Sequence, residues 1–450
     1  MKKIISTLAF ATLAFGSSFA DVKISANYRT QMNAFSRVMS SSNTSDAKDA
    51  TKAAYPTTAE DVRANSYFFS QKSGAYGGHA DSFKIAGSND FGGVTFEINP
   101  NASTGTVSAF KQYNAFVKLG DFKVAAGRWQ DGIMPGDYQL KKDLDASNLG
   151  GETATAYKLG SLHNGALTVQ ANDLCYFAGN KHIGYIEYAA DLSDMKLTAD
   201  LVAASTETDA AGTAWDGSDV FSGFGLQLDA KLESWDFQFT FKQPDIRDAS
   251  SKRVVAFYAQ PTFGALKATF GGAAGYYKGE LTEFNTDIRF RYATGAFSIT
   301  SMNNISYMTN YALDSDSGYY TKKDYGKHVG AIFLNNTGAL AYQKNAWSQS
   351  AMWNMLSFNY VANEKITAFV NLGDLIGFNA GGKEIGDLGM EFFFAPGAMF
   401  TAGKGATITT ALRLGMSNML LDGDEYKDNW GNSVKPAMAI CVPVVMRIKM

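Results

Sequence analysis

The chain has 450 residues, a formal net charge of −3, 13% aromatic side chains, 44 glycines and 8 prolines. Charged residues make up 18%, below the quarter or so usual in soluble domains, and the near-balanced charge argues against a nucleic-acid partner, which would favour a basic stripe. Two cysteines, Cys175 and Cys441, are too few for a disulfide framework; they read either as one pair or as two small apolar strand residues.

At the N-terminus, Lys2 and Lys3 precede an uncharged, mostly apolar stretch, residues 4–15, and Ser18-Phe19-Ala20 puts small residues where a signal peptidase cuts. This pattern predicts a cleaved signal over residues 1–20 and export through the Sec pathway. The remainder, 21–450, reads as one domain. The apolar run is too short to span a bilayer as a helix, and no later stretch holds the 18 uninterrupted apolar residues of a membrane helix.

From Asp21 the chain alternates. Val22, Ile24, Ala26, Tyr28, Thr30 and Met32 share one parity, and Lys23, Ser25, Asn27, Arg29 and Gln31 the other. Strand side chains change face at every residue, so this is a strand with one apolar and one polar side. Paired segments of the same kind follow: 113–119 with 122–129, turning at Gly120-Asp121; 183–192 with 195–203, turning near Ser193-Asp194; and 224–232 with 235–242, turning at Glu233-Ser234. Further on come 254–261 with 265–271, turning at Thr262–Gly264; 284–292 with 296–307, turning at Thr294-Gly295; and 356–360 with 366–372, turning at residues 362–364. The segments 224–232 and 235–242 are each about as long as the ~9–11 residues a tilted membrane strand needs. Between hairpins lie long polar stretches, roughly 35–80, 130–152, 204–220, 309–350 and 417–436. Residues 67–72 and 328–334 could each add a strand. The chain ends on an alternating segment, with Val442, Val444, Met446, Ile448 and Met450 opposed by Val445, Arg447 and Lys449.

Short turns alternating with long loops predict an all-β fold: a transmembrane antiparallel up-and-down β-barrel of about twenty strands, within a range of 16–22. In hydrocarbon every backbone polar group needs an internal partner, so strands can cross only as a closed sheet. The apolar parity then faces lipid. The polar parity faces the lumen, which places Lys231, Lys242, Asp287, Arg289, Arg291 and Arg413 on the pore lining. Tyr28, Trp129, Trp235, Tyr292, Tyr307 and Tyr360 fall near strand ends, where interfacial aromatic girdles form. At this strand number side chains alone do not fill the lumen.

Catalytic signatures are missing from the pattern, and the chain is not read as an enzyme. His79, His163, His182 and His328 show no metal-ligand spacing and accompany no serine nucleophile motif. Gly271-Gly272 and Gly381-Gly382 lack the Lys-Ser/Thr tail of a phosphate cradle. No cofactor or metal is expected.

Over its whole mature length the chain resembles the porin-like outer-membrane proteins of bacteria, in style those of spirochaetes. The likeness rests on signal, alternating strands, loop asymmetry and terminal strand; the last residue is Met450 where that family usually ends on Phe or Trp. The resemblance implies an outer-membrane location in contact with its lipid, passive diffusion of small hydrophilic solutes, and assembly as a homotrimer. It also implies a loop folded into the channel. The segment 130–152 fits that role, because Asp131, Asp137, Lys141, Lys142, Asp143 and Asp145 would set charges of both signs across a passage. The alternative is an adhesin or structural barrel that presents the loops 35–80 and 309–350 at the cell surface.

Overall fold

The computed structural model describes residues 21–40, 82–98, 112–128, 182–205, 223–243, 253–277, 279–308, 350–378, 388–417 and 436–450. It also describes short paired pieces at 100–101 with 106–107, 312–313 with 320–321, and 426–427 with 433–434. The predicted signal (1–20), Cys175 and the proposed constriction segment with Asp131, Asp137, Lys141, Lys142, Asp143 and Asp145 lie outside the described residues, as do 67–72 and 328–334.

The strands in chain order are β1 (Asp21–Ser40), β2 (Ser82–Ser88), β3 (Gly92–Ile98), β4 (Gln112–Leu119), β5 (Phe122–Arg128), β6 (His182–Leu192), β7 (Met195–Ser205), β8 (Gly223–Lys231) and β9 (Trp235–Gln243). The second half adds β10 (Arg253–Phe263), β11 (Leu266–Tyr277), β12 (Glu280–Thr294), β13 (Phe297–Met308), β14 (Ser350–Asn363), β15 (Ile366–Phe378), β16 (Leu388–Gly403), β17 (Ala406–Ala411, resuming after Leu412 as Arg413–Ser417) and β18 (Pro436–Lys449). Each pairs antiparallel with its sequence neighbours, and β18 pairs with β1. The single sheet of 19 segments is therefore, with the two halves of β17 taken together, a closed up-and-down barrel of 18 strands among the described residues. No helix among them is long and apolar enough to cross a membrane.

The count lies inside the predicted range of 16–22. Two details differ from the sequence reading. β1 continues through Ser40 into the stretch expected to be loop. The hairpin expected to turn at Thr262–Gly264 keeps pairing to Phe263↔Leu266 and turns on Gly264-Ala265. Local chemistry sets these turns. Gly264 (φ 57°) and Gly295 (φ 55°) take the left-handed conformation that a tight hairpin demands and that glycine adopts without steric cost. Between β2 and β3 the Asn89 side chain does equivalent work, its Oδ1 accepting from the amides of Phe91 and Gly92, both at 2.9 Å.

Register then sorts side chains between two environments. Val117, Val124, Ile186, Leu201, Leu228, Phe257, Phe270, Phe290, Ile299, Phe358, Phe392 and Ile408 are exposed and point outward from successive strands, a continuous apolar belt far larger than soluble monomers leave open. Beside the short turns the belt ends in aromatic rings: Phe122, Tyr188, Trp235, Phe263, Tyr292, Phe297, Tyr360 and Phe400. Several touch across strands, with centroids 5.0 Å apart for Phe122–Tyr188, 6.0 Å for Trp235–Phe263 and 4.7 Å for Phe297–Tyr360. One outward row breaks the belt. Asn303, Asn354 and Asp374 are register partners on β13, β14 and β15, and Asn354 Nδ2 donates to Asp374 Oδ2 at 2.8 Å.

The inner face is different chemistry. Its buried members are mostly polar: Glu97, Asp200, Gln227, Gln238, Thr240, Gln260, Thr269, Arg289, Thr300, Ser357, Asn359 and Asn371. At three inner aromatic positions the opposing strand carries glycine. Phe116 stands across from Gly93, Tyr258 from Gly271 and Phe369 from Gly397, and a methyl group on any of those glycines would strike the ring. The rings thus lie flat against the wall instead of projecting from it.

Candidate functional site

Antiparallel pairing holds β5 to β10 in one register, and this register lines up charges that are far apart in sequence. One level above the turns, Asp191, Lys196, Lys231, Asp236 and Gln260 are successive neighbours across β6 to β10. The next level reads Thr198, Asp229, Gln238 and Tyr258. The third reads Lys123, Glu187, Asp200, Gln227 and Thr240. Five carboxylates therefore share one arc of the inner wall.

Most of these charges are matched. Lys123 Nζ donates to Glu187 Oε2 at 3.2 Å, and stands 5.4 Å and 5.2 Å from the ring centres of Phe116 and Tyr185, where the ring faces add cation–π attraction. At the turn-side rim Lys196 reaches Asp191 at 3.6 Å and Lys231 reaches Asp236 at 4.0 Å. These two pairs are solvent-exposed and contribute little to stability. Asp229 is held by amides, one oxygen accepting from Gln227 Nε2 and the other from Gln238 Nε2, each at 2.7 Å. Asp200 differs: it is 1% exposed, it stands directly across from Glu187, and neither of its oxygens has a hydrogen-bond partner. A recess of about 300 Å³ opens here, lined by Glu187, Asp200, Asp229, Asp236, Gln238, Tyr258 and Gln260 among others.

Removing Lys123 tests how tightly this arc is balanced. In a Lys123→Met variant Glu187 would face Asp200 with no cation beside it, and like charges directly opposed on neighbouring strands destabilise a sheet. The expected result is a lower thermal midpoint in detergent, partly restored by adding Glu187→Gln. No change in midpoint would mean that the Lys123–Glu187 pair does not hold the wall.

Two of the basic residues named from the sequence occupy the next arc. Arg289 is buried at 4% exposure and Arg291 half-buried on β12, with Thr269 and Lys267 as their partners on β11. Lys231 lies in the acidic arc, against Asp236. By backbone register Lys242 pairs with Gly225 and Val254, Asp287 with Gly271 and Asn304, and Arg413 with Cys441. Farther round, Ser357 Oγ donates to Asn371 Oδ1 at 2.5 Å and Asn359 Nδ2 to Ser357 Oγ at 3.2 Å, a neutral stretch of wall. The sequence reading missed the acidic arc as a unit. Asp229 and Asp236 were visible on the polar parity of their strands, but that Glu187 and Asp200 lie level with them depends on register.

Among the described residues no group of three His, Cys, Asp or Glu side chains is placed to hold a metal ion. The arrangement offers hydrogen-bonding and electrostatic contacts to something passing or resting against the wall.

No family model matches the chain, and no curated protein matches it. Among solved structures it is similar to outer-membrane barrels over nearly its whole length. The anion-selective porin of Comamonas acidovorans has a TM-score of 0.47 at 13% identity, covering 96% of this chain and 99% of that one. OccK2 of Pseudomonas aeruginosa in complex with glucuronate gives 0.47 at 9%, covering 96% and 99%. OmpT of Vibrio cholerae gives 0.46 at 9%, covering 95% and 97%.

Proposed function

We propose that the chain is an outer-membrane channel, exported by way of the signal at 1–20, through which small hydrophilic solutes diffuse along a charged inner wall. The observation that carries this reading is the division of faces. An apolar belt closed by an aromatic rim surrounds a sheet whose other side bears an acidic arc on β6–β9 next to a basic arc on β11–β12. Hydrocarbon requires the first face, and polar lining of a passage is what the second supplies. Acid and base on adjoining arcs set up a field across the lumen that orients dipolar solutes.

The inner side chains at mid-height are packed against one another, as the burial of Gln227, Thr240, Thr269, Thr300 and Asn371 demonstrates. The passage proposed is accordingly a narrow one, with modest conductance. A homotrimer is the proposed assembly. The outward row Asn303–Asn354–Asp374 supports a protein neighbour on that face, since acyl chains offer no partner to a carboxylate.

Reconstitution of the full chain into planar bilayers tests both statements. Stepwise currents are expected, grouped in threes if each insertion delivers a trimer. Folded protein that inserts and gives no current would overturn the channel.

A further inference from the structure

Resting on the channel reading above, we infer that the recess in the acidic arc is a binding site for small organic cations carrying a primary ammonium group. The charge count comes first. Lys123 is engaged by Glu187, Lys196 by Asp191 and Lys231 by Asp236. That leaves Asp229, satisfied only by neutral amides, and Asp200, satisfied by nothing. Two carboxylates without a hydrogen-bonded cation thus face one recess, whose rim also carries Lys196 and Lys231, each already paired with an aspartate.

A second observation is independent of charge. Gln260, on β10 at the far side of the same recess, is 3% exposed, and neither its Nε2 nor its Oε1 has a partner. Buried polar groups are nearly always satisfied, and leaving one unsatisfied is destabilising. Here two such side chains, one anionic and one amide, border a single recess of about 300 Å³, the lower end of the volumes that hold small molecules. An ammonium group supplies three donors, enough to serve Asp200 and Asp229 together, while a polar group farther along the solute meets Gln260. A metal ion fits less well, because no three ligating side chains among the described residues converge.

The probes are n-butylammonium, 1,5-diaminopentane and, as a cation without N–H donors, tetramethylammonium, each added as its chloride to the reconstituted full chain. Butylammonium and the diamine are expected to reduce single-channel current in a saturable way, with tetramethylammonium far weaker. An Asp200→Asn/Asp229→Asn variant should weaken the apparent affinity about tenfold or more, the size expected for losing charge-assisted hydrogen bonds. Isothermal titration of the same amines into folded, detergent-solubilised protein gives a readout that needs no current. Should the double variant fail to fold, Gln260→Leu, which keeps both carboxylates, is expected to weaken binding of an amine with a hydroxyl at its far end, such as 5-aminopentanol, more than that of butylammonium. Current without block and titration without heat would sink the site and leave the channel standing. Heat of binding without any current would sink the channel and leave the site. Equal block of wild type and variant, or block by calcium stronger than by amines and lost in the variant, would overturn the ammonium assignment.

Discussion

An arginine at Phe257 is expected to destabilise the folded chain by about 2–4 kcal/mol, whereas an arginine at Phe263 on the same strand and face costs about 0–1 kcal/mol, as depth in a bilayer dictates. Both phenylalanines are exposed, 52% and 56%, so any account based on burial in a soluble protein predicts the same small penalty for each. They differ in height. Phe263 closes the hairpin against Leu266, at the aromatic rim beside Trp235. Phe257 lies six residues farther from the turn, paired with Phe239 and Gly272. If that level is hydrocarbon, a guanidinium there must be dragged to an interface or left without water. Urea unfolding of the folded protein in lipid vesicles, followed by tryptophan fluorescence, measures the difference. Equal costs at the two positions would remove the membrane from the description and leave only a barrel.

A Tyr258→Ala variant is expected to lose about 3–5 kcal/mol of stability, the range for removing a large buried ring, and at the same time to pass more current than the wild type. Tyr258 is the largest fully buried side chain among the described residues. Its ring lies over Gly271 and borders the recess, so truncation widens the passage at the level where Asp229 and Gln238 meet. The glycine makes the argument testable in a second way. Gly271→Ala puts a methyl group into the Tyr258 ring and should cost about 1–3 kcal/mol alone, as overpacking does. In the Tyr258→Ala background the same change should cost little, and a double-mutant cycle would show the coupling. Conductance that falls or stays constant in Tyr258→Ala would mean the ring does not bound the path.

The architecture was legible because the barrel imposes a short-range rule. Alternation at Leu226, Leu228 and Ala230 against Gln227, Asp229 and Lys231 declares two environments within six residues, and Gly295 or Ser193-Asp194 marks where the chain reverses. Parity alone placed Arg289 and Arg291 on the inner face. What the sequence could not declare was height. Lys123 and Glu187 are separated by 64 positions, and whether they meet depends on how far β5 slides along β6, which the long connection between them does not constrain by length or composition. Slippage by two residues would keep every side chain on its face and dissolve the Lys123–Glu187 pair. Register is chosen by packing of both faces at once, including rings seated on glycines such as Phe116 on Gly93, and that information is distributed over the whole sheet.

The seam between β1 and β18 has a consequence for how the molecule comes to exist. Every other pairing in the ring joins strands adjacent in the chain, so each can form as a local hairpin or by docking onto the preceding one. The seam joins residue 27 to residue 449 and continues to the pairing of Ser40 with Pro436, with Ala26 and Met450 exchanging backbone bonds at its end. Contacts this remote in sequence come late and slowly. Until they form, the growing sheet keeps two unpaired edges, the features that invite pairing with other chains. A nascent copy is therefore most exposed to misassociation after it has made nearly all of its structure, and the pairing of β18 with β1 ends that exposure.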